Sequence, residues 1–463
     1  MLTRLRLGDA ATLAAIAIVL AAWLGGGALG HDEAAYAIGG DALVHGAPSP
    51  WLYRSVGMHA LAAFGVLAGG SELALRVPTV LFAIGFVLAA RRVGRLFGRD
   101  RGAWTVAVIA GMHGVILRGH ELLSDLPSTT CLLAAIALLV EELERDAGPR
   151  WRVVLAAPAL AAAFYLRYAS CVPIALVGAT IAIVWGRRVL ALPILATAAG
   201  LALLLVPHAL QAIAATGSPL GIVRYSAEVP SHRYVGDGLV TYLFSNPFVM
   251  YGVIAAPVLV AGLASVMRPS PSRRPAIALW LVATSQIVAL GFLSQAMARY
   301  IYLALTLLVV LGVDAIARAA AHRPPPRSVA RAAVPLVALG WLGVFVATVA
   351  LGLRGEDWKT PIVDAATIVR ADAAARPCHV VSRRFAQLMW YSGCASGNFW
   401  PVPEELDLAP RVYGVWFPGT EGAPEPEAFL RADGAPLTIV DVANTARLRV
   451  ARLTRDTRPP PAR

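Results

Sequence analysis

Four carboxylates stand at the ends of apolar runs in this sequence: Asp32 and Glu33 after the first run, Glu121 and Asp125 between two later ones. An adjacent acidic pair is an unusual way to leave an apolar segment, where cations or aromatic anchors are the common flanks. Taken alone, such a pair is most simply a solvated turn. Carboxylates of this kind can also supply a general base, or hold a divalent cation together with His31 or His120. Arg54, Arg118, Arg167 and Arg299 occupy comparable positions. A guanidinium fork matches phosphate oxygens geometrically, so several of them beside carboxylates point to a phosphate-linked substrate, although each singly reads as an interfacial anchor. Tyr36, Tyr53, Glu121, Tyr168 and Tyr300 are further candidate substrate contacts, and Tyr168 and Tyr300, each following an Arg, also read as interfacial anchors. There is no Walker loop or strand-supported glycine-rich fingerprint, so a nucleotide donor lacks its usual cradle.

The elements that must position these residues are apolar helices. Hydrophobic residues make up 58% of the 463, charged residues 15%, and the mean hydropathy is +0.65. A soluble chain is nearer 45–50% apolar and about 25% charged, so this is a polytopic membrane protein. The net charge of +12 comes mostly from Arg between apolar runs, a placement of orientation signals and not of a nucleic-acid groove.

Eleven spans are expected, at 10–29, 73–90, 104–117, 126–140, 153–166, 170–185, 189–213, 247–267, 277–298, 301–317 and 335–353. Arg4, Arg6 and Ala28-Leu29-Gly30 could bracket a cleaved signal, but a run of about 20 residues favours a retained helix. The segment 56–68 is too short to span and is broken by His59. Counting it as non-spanning puts every short Arg-rich loop on the side of the N-terminus, which is then cytoplasmic. The candidate site faces the other side, the periplasm, on an inner membrane. Span interiors carry almost no charge, which disfavours an ion-coupled transporter.

The expected domains are a transmembrane unit over 1–353, with outer loops 30–72 and 214–246, and a periplasmic α/β domain over 354–457. A disordered tail over 458–463 follows. In the α/β part, strands are expected at 378–382 and 437–442 and helices at 385–391 and 425–432. Cys131 and Cys171 sit in apolar runs as small hydrophobes, whereas Cys378 and Cys394 could form a disulfide in an oxidising compartment.

An ordered series of short motifs carries a resemblance. It comprises Asp32-Glu33-Ala34-Ala35-Tyr36, Gly70-Ser71-Glu72-Leu73-Ala74-Leu75-Arg76-Val77-Pro78, Arg91-Arg92-Val93-Gly94-Arg95-Leu96-Phe97-Gly98, Ser124-Asp125-Leu126-Pro127 and Arg299-Tyr300. Over about the first 320 residues the chain resembles the C-type glycosyltransferase superfamily, the dolichyl-phosphate-mannose protein mannosyltransferases and bacterial aminoarabinose transferases. The resemblance implies a polyprenyl-phosphate-sugar donor, Asp32 as the catalytic aspartate and Asp125 as the second acidic position, with Glu33 beside them. Where the aminoarabinose branch commonly carries Lys-Pro-Pro, this chain reads Leu52-Tyr53-Arg54-Ser55, with Arg54 in the cation's place.

The expected reaction is a single inverting displacement. Asp32 deprotonates an acceptor hydroxyl, and Arg residues stabilise the departing lipid phosphate. The acceptor could be a glycan, a lipid or a protein, with the 215–246 loop closing over the donor and the outer domain holding the acceptor. Two rival readings are a transporter or flippase of lipid-linked sugars and a non-catalytic envelope assembly factor. The second leaves the carboxylates of the first outer loop without a role.

Overall fold

The computed structural model describes residues 7–227, 234–245, 247–267, 272–293, 297–322, 327–353, 359–397, 409–418 and 437–455. The expected helix at 425–432, the tail at 458–463 and residues 228–233 of the long loop lie outside the described residues.

The membrane part begins with α1 (Leu7–Leu24), α2 (His31–Val44), α3 (Val56–Leu67), α4 (Glu72–Arg95) and α5 (Arg99–Ala110). The short α6 (His113–Ile116) precedes α7 (Asp125–Leu143), α8 (Ala156–Leu166), α9 (Cys171–Trp185) and α10 (Leu192–Thr216). Then come α11 (Gly221–Ala227), α12 (Asp237–Val240), α13 (Pro247–Leu263), α14 (Arg273–Leu293), α15 (Tyr302–His322) and α16 (Arg327–Leu353). Six of the described helices are long and apolar enough to cross a membrane, and the expected span at 104–117 is not one straight helix. Gly111 caps α5 after Ala110, and the chain bends by 81° into residues 114–120. The bend turns the segment that follows toward α2.

Local chemistry explains the elements around the candidate site. Ser71 starts α4 by accepting a hydrogen bond from Ala74 N at 3.2 Å, and Arg92 and Arg95 close its last turn, where cations suit the helix dipole. α3 has 12 residues, about 18 Å, well short of a bilayer's apolar thickness of about 30 Å. It packs on α2 so closely that a Cβ at Gly40 would lie 2.7 Å from Ala62 Cβ and Ala63 N. In the same way, a side chain at Gly262 or Gly312 would collide with the carbonyls of Leu308 and Val258, so small residues let α13 and α15 touch. Large apolar side chains such as Leu81, Ile183, Leu203 and Leu210 point outward, as a lipid-facing surface requires.

The C-terminal domain contains α17 (Thr360–Ala373), β1 (Cys378–Val381), α18 (Phe385–Ser392), β2 (Ala395–Gly397), β3 (Arg411–Trp416), β4 (Leu437–Asn444) and β5 (Arg449–Arg455). The sheet order is β2-β1-β3-β5-β4. β1 runs parallel to β2 and β3, and β5 is antiparallel to β3 and β4. Ile362, Ala365, Ala366 and Val369 recur at helical spacing on α17 and bury against Val380, Tyr413, Val415 and Val450. Cys378 and Cys394 form a disulfide across a separation of 16 residues.

Candidate active site

Asp32 lies in the first turn of α2, where a carboxylate suits the helix N-terminus. Arg299 Nη2 donates to its Oδ2 at 2.8 Å, and Arg54 Nη2 lies 2.9 Å from its Oδ1. Burial alone would raise the Asp32 pKa. The Arg54 and Arg299 guanidiniums overcome it and hold the carboxyl at about 2 instead of 3.8. Conversely, Asp32 holds the Arg54 guanidinium above its ordinary value against the effect of burial. Arg299 Nε also lies 3.4 Å from Asp125 Oδ2, and Arg167 pairs with Asp125 Oδ1.

The result is an alternating chain, Arg54–Asp32–Arg299–Asp125–Arg167, drawn from five separate parts of the sequence. It contains three guanidiniums and two carboxylates. Aromatic rings hold the cations: Arg54 Cζ lies 5.4 Å from the Tyr36 ring centre and 5.5 Å from that of Tyr53. Arg167 stacks over Tyr300 at 4.2 Å. A small cleft opens beside Arg167 and Tyr300, and Ser128, Thr129, Ser170 and Gln286 share its lining.

Glu33 stands elsewhere, although it adjoins Asp32. Successive helix residues point about 100° apart, and this step turns Glu33 into the protein. It is 2% exposed. Its Oε1 accepts from Arg76 Nε at 2.8 Å and Leu122 N at 2.9 Å. Its Oε2 accepts from Arg76 Nη2 at 3.0 Å and Gly30 N at 2.7 Å. The expectation that Glu33 shares the catalytic face is therefore corrected: its lone pairs are engaged by structural donors.

Two further expectations change. Tyr168 is buried, with its ring against Phe164 and His208 and its hydroxyl accepting from Val56 N at 3.2 Å, so it packs α3 against α8 and is not an anchor at an interface. Arg118 faces Glu121 at 3.8 Å instead of joining Asp32 and Asp125. No group of three His, Cys, Asp or Glu able to hold a metal ion occurs among the described residues; His31 packs edge-on against Phe385, and His120 Nδ1 faces Leu117 O at 2.6 Å.

Arg76, Lys359, Gln387 and Tyr391 surround the site without having been singled out from the sequence as site residues. Arg76 occurs in a recognised motif, and its lone charge inside an apolar segment was a usable signal. The other three belong to the C-terminal domain, and nothing local in their sequence ties them to residue 32.

Residues 56–210 match the family model for dolichyl-phosphate-mannose-protein mannosyltransferase, a segment that excludes Asp32 and Arg299. No curated protein matches the chain. The crystal structure of ArnT from Cupriavidus metallidurans in the apo state is similar over 95% of this chain and 97% of that one, with a TM-score of 0.70 at 15% identity. The same protein bound to undecaprenyl phosphate gives a TM-score of 0.69, with the same identity and coverage. The archaeal oligosaccharyltransferase AglB from Archaeoglobus fulgidus, in complex with an inhibitory peptide and a dolichol-phosphate, gives 0.61 at 14% identity, covering 84% of this chain and 64% of that one. A third of the chain, residues 56–210, is thus similar to the protein-mannosyltransferase family, and the chain as a whole shares the fold of ArnT and AglB.

Proposed function

We propose that the protein transfers a sugar from a polyprenyl-phosphate donor to an acceptor hydroxyl, with inversion, using Asp32 as the base. The observation that carries this reading is the alternating ion chain, in which three guanidiniums exceed two carboxylates by one positive charge. An anionic phosphodiester is the ligand such a surplus suits. Support for the lipid comes from the solved structures of similar fold, whose bound ligands are undecaprenyl phosphate and dolichol-phosphate.

Asp32 takes the acceptor proton as the acceptor oxygen attacks the anomeric carbon. The bond from that carbon to the phosphate oxygen breaks, and the lipid phosphate leaves with one more negative charge. Arg54, Arg299 and Arg167 stabilise that charge where it develops. Without donor, two of these cations sit on Asp32 itself and suppress its basicity. The donor phosphate competes for them, so its arrival raises the proton affinity of Asp32 when a base is needed.

The site is read as periplasmic. Arg92, Arg145, Arg152 and Arg188 cluster at the opposite ends of the helices, which suits a cytoplasmic face. The Cys378–Cys394 disulfide suits an oxidising compartment. The test is mass spectrometry of lipids and envelope glycans from cells lacking the gene, or carrying only Asp32→Asn. Both should accumulate one polyprenyl-phosphate sugar and lose one matching glycan. A wild-type profile in Asp32→Asn cells would exclude the reading and favour a transporter.

A further inference from the structure

The turn that carries the chain from α1 into α2 has no secondary structure of its own, so its backbone groups must find partners elsewhere. Some of those partners lie in α4 or in the first turn of α2. Arg76 Nη1 donates to Gly27 O at 2.8 Å, and Gly30 N donates to Glu33 at 2.7 Å. Arg76 Nη2 also donates to Ala28 O at 3.4 Å, and Ala34 N donates to Gly30 O at 2.9 Å. Three further bonds come from the C-terminal domain, more than 300 residues later in the chain. Lys359 Nζ donates to Ala28 O at 2.9 Å and lies 4.0 Å from Glu33 Oε2. Gln387 Nε2 donates to Leu29 O at 3.2 Å. Leu29 N donates to the Tyr391 hydroxyl at 2.7 Å, and that hydroxyl donates onward to Glu72 Oε1 at 3.0 Å.

This contact is buried. Lys359 is 4% exposed and Gln387 fully enclosed. Ala386 of α18 shares one apolar core with Leu29, Ala34, Ala35, Met58 and Leu75. Phe385 meets the His31 ring at 4.8 Å, and His31 immediately precedes Asp32.

We propose that Lys359, Gln387 and Tyr391 of the C-terminal domain are positioning residues that fix residues 27–30 and thereby aim Asp32 at the acceptor. The domain then supplies three of the hydrogen bonds that hold the catalytic turn, beyond any part it has in holding an acceptor. Lys359 and Arg76 together hold the Ala28 carbonyl and flank the Glu33 carboxylate, so the turn is fixed from the membrane side and the domain side at once. The inference rests on Asp32 being the base.

The experiment uses the purified full chain in nanodiscs, with undecaprenyl phosphate as the binding probe; the turnover substrates are the lipid-linked sugar extracted from deletion cells and, as source of the acceptor hydroxyl, the unmodified envelope fraction of the same cells. Lys359→Met and the milder Tyr391→Phe, which removes one hydroxyl, are compared with wild type. A displacement of about 1 Å at a reacting group costs on the order of 10²-fold. Lys359→Met is expected to lower kcat by about that factor while the Kd for undecaprenyl phosphate stays within about twofold of wild type. Tyr391→Phe should lower kcat less, Lys359→Arg should recover most of the rate, and amide exchange of residues 27–31 should quicken in Lys359→Met. If Lys359→Met does not fold, Tyr391→Phe alone decides on the same readouts. Unchanged kcat, equal losses in kcat and in phosphate binding, or no recovery with Lys359→Arg would overturn the positioning role. Full activity of Asp32→Asn would instead remove the base on which the inference rests.

Discussion

Replacing Asp32 by Asn keeps the shape of the side chain and removes its charge and its basicity, so two effects of different size should separate. The first is on stability. The Asp32 pKa is held at about 2 in place of 3.8. At about 1.4 kcal/mol per tenfold change in proton affinity, this corresponds to roughly 2 kcal/mol at neutral pH. A depressed carboxyl contributes that stability above its unfolded value of 3.8 and loses it as pH falls through about 2. The Asn variant should therefore be less stable at pH 7, with the gap closing toward pH 2. The second effect is on chemistry. A positioned base contributes ~10²–10⁴-fold, or roughly 3–5 kcal/mol of barrier. Turnover is followed by mass spectrometry of the lipid-linked sugar from deletion cells as it is converted to free lipid phosphate in the presence of the unmodified envelope fraction of those cells as acceptor, with thermal denaturation run in parallel. A folded Asp32→Asn protein that turns over within about threefold of wild type would refute the role of base, because basicity is what the substitution removes.

Glu33→Gln should act through folding: it leaves the buried Arg76 cation facing an amide, and breaking such a pair costs about 3–5 kcal/mol, read as a large fall in Tm or in the yield of folded protein. Arg54→Ala should weaken undecaprenyl phosphate binding by roughly 10- to 150-fold, the equivalent of about 1.5–3 kcal/mol for a hydrogen bond to a charged group, measured by titration of the purified protein. Replacing Cys378 and Cys394 by Ala should destabilise the C-terminal domain by about 3 kcal/mol, as expected for a closed loop of this length, seen as lower protease resistance of that domain without reductant.

What could be read from the sequence was chemical type at a topological position. Asp32 and Asp125 stood out because a carboxylate is an unusual flank for an apolar run, and Arg54, Arg167 and Arg299 only because several cations lay beside those carboxylates. Their pairing was not readable. Asp32 and Arg299 lie 267 residues apart, and no periodicity reports a contact of that separation. Neighbours were misjudged for a related cause: Asp32 and Glu33 share a motif, but one residue of helix rotation sends them to different partners. The bend after α5 had its signal in Gly111. The strand β3 had its own in the unbroken run Val412-Tyr413-Gly414-Val415-Trp416, the mark of a strand buried on both faces, whereas β5 was hidden by Arg449, Arg452 and Arg455.

On the proposed function, the guanidiniums that prepare the site for phosphate would also keep Asp32 inactive as a base until phosphate arrives. With its pKa at about 2, Asp32 holds a proton too weakly to draw one from an alcohol or from water. A donor that takes over Arg54 and Arg299 removes that suppression only when an anomeric carbon is in place. Such coupling guards against idle proton transfer in the free enzyme. It has a kinetic signature, because kcat/KM reports the free enzyme and kcat the complex. Asp32 must be ionised to act, so each acid limb falls as pH drops through the value for its own state. The kcat limb should lie at higher pH than the kcat/KM limb, which should stay flat down to the lowest pH at which the protein remains folded. Superimposed limbs would mean that the phosphate leaves the two Arg–Asp32 pairs in place and that the coupling does not exist.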